Sequence, residues 1–134
     1  MEIDVTFPGG KRVDARMGEF TVRTDQPAEA GGAGSAPGPF ELFLASLATC
    51  SGYYALAFCQ GRDLPTEGLS LSLRYQSDAA GIPTRIELAL RLPAGFPESH
   101  RAAILRAVGN CKVKRTLAAT PPIEVAFAPD VVGG

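Results

Sequence analysis

Histidine is almost absent from this chain, His100 being the only one. One imidazole and three widely spaced cysteines, Cys50, Cys59 and Cys111, do not make a zinc set, so no metal site is expected. An odd number of cysteines at such separations is not a disulfide framework either. In a reducing compartment they are thiols, either core or reactive. An excess of charge of one sign is also lacking: the formal net charge is -1, and no basic run supplies the footprint that nucleic-acid binding needs. The start, Met1-Glu2-Ile3-Asp4, is acidic and has none of the basic-then-apolar layout of a secretory leader, which makes the cytoplasm the expected location. The longest apolar stretch, residues 40–58, is interrupted by Glu41, Ser46, Thr49, Ser51 and Gly52. It reads as a buried helix rather than a bilayer span, and no membrane partner is expected.

What is present is an ordinary globular composition, 46% apolar and 20% charged over 134 residues. That supports a single domain over residues 1–134. Ile3, Val5 and Phe7 alternate with Glu2, Asp4 and Thr6, and Pro8-Gly9-Gly10 turns the chain into residues 11–15, so the N-terminus reads as a hairpin. A third strand is expected at 19–24. Residues 25–38 are rich in glycine and proline and read as an irregular, flexible loop. Gly31-Gly32-Ala33-Gly34-Ser35 lacks the Lys-Ser/Thr of a phosphate loop. Pro39 suits a first helical turn, Glu41 suits the positive end of a helix, and strong helix formers follow, which predicts a long helix over 39–61. Two alternating strands, about 69–76 and 86–92, flank a turn at 78–83. A helix over 97–108, a short one over 112–119 and a last strand over 123–128 complete an α+β order.

Cys50 lies mid-helix among small residues, in Ser46-Leu47-Ala48-Thr49-Cys50-Ser51-Gly52. By itself it reads first as a buried core thiol, with a nucleophile as the alternative. Cys59 falls nine residues later, half a turn out of phase, and belongs to the opposite face. Cys111 follows the Gly109-Asn110 break and precedes Lys112, Lys114 and Arg115, so helix-start amides and nearby cations both favour its thiolate. A connector with solvated lysines is the plain alternative. His100 falls on the polar face of the second helix, where a solvated role is expected.

The stretch Pro37-Gly38-Pro39-Phe40-Glu41-Leu42-Phe43-Leu44-Ala45-Ser46-Leu47-Ala48-Thr49-Cys50, with Cys111-Lys112-Val113-Lys114-Arg115-Thr116-Leu117 sixty-odd residues on, resembles the two cysteine motifs of the osmotically induced protein C (OsmC) and organic hydroperoxide resistance (Ohr) superfamily. The resemblance implies an OsmC-like fold, antiparallel sheets around two central helices, in an intertwined homodimer. It also implies a thiol peroxidase for organic hydroperoxides, with Cys50 peroxidatic, Cys111 resolving, an external dithiol as reductant and no cofactor. Phe40, Phe43, Leu47, Tyr53 and Tyr54 could receive an apolar substrate. Departures from the motif are visible. The glutamate usually found ten residues before the first cysteine is Phe40 here, with Glu41 one place later, and the proline after the second cysteine is Lys112. Glu41 acts on Cys50 only across the dimer or through a broken helix start. Arg12, Arg16 and Arg23 compete as the activating arginine, with Arg16 taken as the candidate. The rival reading is a ligand-binding or redox-sensing protein on the same scaffold.

Overall fold

The computed structural model describes residues 1–129. Three strands come first, β1 (Asp4–Gly9), β2 (Arg12–Met17) and β3 (Phe20–Thr24), paired antiparallel in that order. The hairpin strands sit about two residues later than the alternation suggested, because the turn closes at Gly10-Lys11 rather than at Pro8-Gly9-Gly10. Register puts Val5, Ala15 and Val22 in one row, with Val13, Met17 and Phe20 on the same face. Asp4, Thr6, Asp14, Arg16, Thr21 and Arg23 share the other face. No residue of this sheet is buried, although three strands with one apolar face need a second layer to be stable.

Residues 25–38 are not the loose loop their composition suggests. The Asp25 carboxylate, only 1% exposed, accepts hydrogen bonds from Ser35 Oγ (2.6 Å), the Ser35 N–H (3.0 Å), the Gln26 N–H (2.7 Å) and the Ala33 N–H (3.3 Å). The chain wraps this carboxylate, with a single 3-10 turn at Ala28–Ala30. Gly32 passes so close that a Cβ there would collide with the Gln26 carbonyl. Hydrogen bonds from the Ser35 hydroxyl and amide, with those from Gln26 and Ala33, hold the Asp25 carboxyl down to about 2 against the opposing effect of burial. A pKa depressed in the folded state gives stability that is present above the unfolded value near 4 and is lost as pH falls through 2. Asp25→Ala is therefore expected to lower Tm at pH 7 by about 5 °C or more. Thermal melts at decreasing pH should bring parent and variant together between about pH 4 and pH 2; a gap that stays constant would show that the carboxylate's charge does not matter.

The long helix α1 (Pro39–Gly61) starts with proline at its first turn and runs unbroken. It is long and apolar enough to cross a membrane by length and composition, but its contacts are with other elements of the fold. Leu47, Ser51, Ala55, Phe58 and Cys59 form its buried stripe, the spacing of an amphipathic helix. Strands β4 (Ser70–Ser77) and β5 (Pro83–Arg91) pair antiparallel, aligning Leu71 with Leu90, Leu73 with Leu88 and Tyr75 with Ile86 on one face. Leu69, Leu71, Leu90 and Leu92 close over the cluster of Ala55, Phe58, Cys59, Ile104 and Val108. The second helix is shorter than expected: residues Glu98–His100 form a 3-10 turn, followed by α2 (Arg101–Gly109), and α3 (Lys112–Ala119) comes after it. His100 is half-buried with its ring edge against Phe58, 6.0 Å between centroids, and is not the solvated side chain expected. The two antiparallel sheets and three helices give the α+β class read from the sequence.

The last expected strand is absent. Residues 121–129 have no regular structure, and Ile123, Val125 and Phe127 are 90%, 93% and 102% exposed. The alternation that suggested a strand is real, but among the described residues the segment pairs with no edge.

Candidate functional site

Two helices meet at the thiols. Helix α1 carries Cys50 and Ser51 on the side that α3 approaches, while the Gly109-Asn110 break ends α2 and lets the chain turn so that Cys111 becomes the N-cap of α3. Cys111 has extended backbone (φ -64°, ψ 149°), and its sulfur accepts from the Lys114 N–H at 3.4 Å. The expected proline is Lys112 here, yet the helix still begins at that position because the cap is made by Cys111 itself. Ser51 Oγ donates to Cys111 Sγ at 3.5 Å, and the Cys50 side chain and the Val113 amide lie near enough to that sulfur to favour its charged form. The fold thus brings together the two cysteines separated by sixty residues. All three cysteines are free thiols.

The two thiols differ in surroundings. Cys50 is part-exposed, whereas Cys111 is 0% exposed. Burial pushes the Cys111 thiol up, but hydrogen bonds from Ser51, the Lys114 amide, Cys50 and the Val113 amide outweigh it and hold it below the ordinary thiol value. Cys59, by contrast, is pushed up by burial. It packs in the hydrophobic cluster with Ile104 and Val108 and takes no part in the site.

Below the cysteines a second pair of residues meets. Tyr54 follows Cys50 by one turn of α1 and Arg115 follows Cys111 by one turn of α3, and Arg115 Nη2 donates to the Tyr54 phenol oxygen at 3.4 Å. Arg115 is thus held on Tyr54 by the same chain, each of the two one helical turn from a cysteine of the pair. The N-terminal arginines lie elsewhere. Arg16 is exposed on the polar face of the first sheet, beside Asp4 and Thr21, and among the described residues it makes no ion pair. Glu41 is exposed in the first turn of α1, and because the helix is continuous it stands ~13 Å along the axis from Cys50. A broken helix start therefore does not bring it to the thiol. Phe40 stacks on Phe43 at 5.9 Å and meets Tyr75 edge-on at 6.0 Å; Tyr53 and Tyr54 pair at 5.7 Å one turn from Cys50. A hollow of about 410 Å³ between the first hairpin and residues 31–35 is lined by Lys11, Arg12, Asp25, Gly32 and Ser35 and includes neither thiol of the pair. Among the described residues no cluster of three or more metal-binding side chains occurs.

The model of the OsmC-like protein family matches residues 32–126, which includes both cysteine motifs. The chain belongs to the OsmC-like family. Solved structures agree on the fold. A protein of Psychrobacter arcticus assigned to osmotic stress induction and the detoxification response superposes with a TM-score of 0.72 at 18% identity, covering 85% of each chain. An OsmC-like protein of Mycoplasma pneumoniae gives 0.62 at 16% identity, covering 88% of each. An organic hydroperoxide resistance protein, OsmC, of Legionella pneumophila gives 0.55 at 18%, covering 87% of this chain and 89% of that one. No curated protein matches the chain.

Ser51 and Asp25 escaped sequence reasoning. For Ser51 a signal existed. It falls on the stripe Leu47, Ser51, Ala55, Cys59, so a hydroxyl on a buried helix face had to find a partner off the helix. Asp25 offers no local motif, since its donors lie up to ten residues away in a glycine-rich stretch.

Proposed function

We propose that this OsmC-like protein is a two-cysteine, thiol-dependent peroxidase that reduces organic hydroperoxides to alcohols in the cytoplasm, working as a single-domain homodimer. The observation that carries the reading is the contact between a part-exposed thiol, Cys50, and a buried one, Cys111, whose sulfur is surrounded by donors. That pairing fits a nucleophile open to substrate and a resolving partner held close behind it. The names of structural relatives as organic hydroperoxide resistance proteins support the substrate class.

In this mechanism the Cys50 thiolate attacks the terminal peroxide oxygen. The O–O bond breaks, the alkoxide takes a proton and leaves as alcohol, and Cys50 becomes a sulfenic acid. Cys111 then attacks the Cys50 sulfur, forming the disulfide and releasing hydroxide, and an external dithiol returns two electrons by exchange. No cofactor enters. Tyr53 and Tyr54, one turn from Cys50, and Arg115, which is hydrogen-bonded to Tyr54, are the intrachain candidates to receive the peroxide. Arg16 and Glu41 can act on Cys50 only from the partner subunit. The homodimer is supported by the uncovered apolar face of the first sheet and by the exposed alternation of Ile123, Val125 and Phe127.

The placement of Glu41 away from Cys50 within the chain favours a second reading, a redox sensor that forms the same disulfide without rapid turnover. Steady-state assays separate the two. With a dithiol reductant, the parent protein is expected to consume cumene or tert-butyl hydroperoxide at least about tenfold faster, in kcat/KM, than hydrogen peroxide, because the aromatic surroundings add binding to an apolar substituent. Disulfide formation without multiple turnovers would favour the sensor, and indifference between the peroxides would remove the assigned substrate class.

A further inference from the structure

Helix α1 carries three serine and threonine side chains near its middle, and two of them behave in the usual way. Ser46 Oγ donates to the Phe43 carbonyl at 2.7 Å and Thr49 Oγ1 to the Ala45 carbonyl at 2.8 Å, each giving its proton to the backbone of its own helix. Ser51 is different. It is 0% exposed, and its hydroxyl reaches across to Cys111 Sγ. The Lys114 amide of α3 also donates to that sulfur at 3.4 Å, and the Val113 amide of α3 and the Cys50 thiol lie near it. Ser51 therefore ties Cys111 to the helix that bears the thiol it must attack.

We propose that Ser51 is the positioning residue of the resolving step: its hydroxyl holds Cys111 Sγ against Cys50, so that the disulfide closes before the Cys50 sulfenic acid is oxidised further. The proposal rests on the peroxidase reading. In the step itself the Cys111 sulfur attacks the Cys50 sulfur, the S–S bond forms, the S–O bond breaks, and the departing hydroxide takes up a proton as water. The two electrons given to the peroxide leave in the alcohol and water, and the disulfide stays two electrons oxidised until the external dithiol reduces it. The two amides fix Cys111 relative to α3 only. Without the Ser51 hydroxyl nothing polar on α1 except Cys50 itself restrains it, and Cys50 loses its proton and becomes the sulfenic acid during the reaction. Removing the hydroxyl also withdraws one donor from the charged form of the attacking sulfur.

The test uses the full-length protein, reduced and mixed with stoichiometric cumene hydroperoxide, in the parent and in Ser51→Ala and Ser51→Thr variants. Peroxide loss is followed directly, and the Cys50 sulfenic acid and the disulfide are followed by dimedone trapping and mass spectrometry. In Ser51→Ala, first-turnover peroxide loss should stay within about twofold of the parent. Disulfide closure should be about tenfold slower, the scale of one hydrogen bond to a charged group. The pH of half-maximal closure should move upward, and excess peroxide should carry Cys50 on to sulfinic acid. Ser51→Thr, which keeps the hydroxyl, should restore fast closure and the parent pH profile. Closure by Ser51→Ala at the parent rate and with the parent pH profile would overturn the proposal. So would a slowing that Ser51→Thr does not repair and that leaves the pH profile unmoved, since that pattern marks packing alone. A parent that consumes no peroxide overturns the peroxidase reading and this proposal with it; intact peroxide consumption with unaltered closure overturns the proposal alone.

Discussion

Cys50→Ser is expected to lower kcat/KM for organic peroxides by about a thousandfold or more, equivalent to at least about 4 kcal/mol of transition-state stabilisation. The size follows from the chemistry. A serine hydroxyl is scarcely ionised near neutrality and is a poor nucleophile toward a peroxide oxygen, while a thiolate is the reactive form of cysteine. Cys50 is the part-exposed member of the pair and Cys111 is fully buried, so the second thiol cannot take over the attack without a rearrangement of α3. Cys111→Ser should therefore behave differently: one equivalent of peroxide is consumed at a near-parent rate, the sulfenic acid on Cys50 persists, and turnover stalls. Stopped-flow peroxide loss on the two variants distinguishes the roles. Equal loss of the first turnover in both would contradict the assignment of Cys50 as nucleophile.

Replacing Ile123, Val125 and Phe127 together by serine is expected to convert the proposed homodimer to monomers at micromolar concentration. These side chains are almost fully exposed in one chain, and the first sheet has an apolar face of Val5, Val13, Ala15, Met17, Phe20 and Val22, none of which is buried among the described residues. Each large apolar side chain buried on association is worth about 1.5–3 kcal/mol, and two-fold symmetry uses every one twice. About 9 kcal/mol or more is at stake, enough to weaken association by about a millionfold. Sedimentation velocity of parent and variant checks this. A parent that sediments as a monomer would show that the exposed segment serves some other purpose.

Much of the fold was legible in the sequence because its signals are local. Helix α1 announces itself through Pro39 and the helix formers that follow, and α3 through the break at Gly109-Asn110. β4 and β5 alternate apolar residues, Leu71, Leu73 and Tyr75 in one and Ile86, Leu88 and Leu90 in the other, with polar or small ones. The cysteine pairing was legible only through the resemblance of its two motifs, since no spacing rule brings residues 50 and 111 together. What failed is instructive. The strand expected at 123–128 has the right pattern but pairs with no edge among the described residues, because a local period does not specify a partner. Residues 25–38 have the composition of a flexible loop, yet one carboxylate organises them, because a buried anion with four donors outweighs the conformational freedom of glycine. Ser51 was seen as a small neighbour of Cys50, whereas its place on the buried stripe makes its hydroxyl a hydrogen-bonding group that had to be satisfied.

The central claim is that Cys50 and Cys111 act as one redox unit. Mass analysis of the reduced parent after one equivalent of cumene hydroperoxide tests it most directly. The account predicts loss of two hydrogens from the intact chain, a peptide pair linked through Cys50 and Cys111, Cys59 still alkylatable after unfolding, and full recovery of the thiols with a dithiol. Stable oxidation confined to one cysteine, or a linkage that includes Cys59, would contradict it.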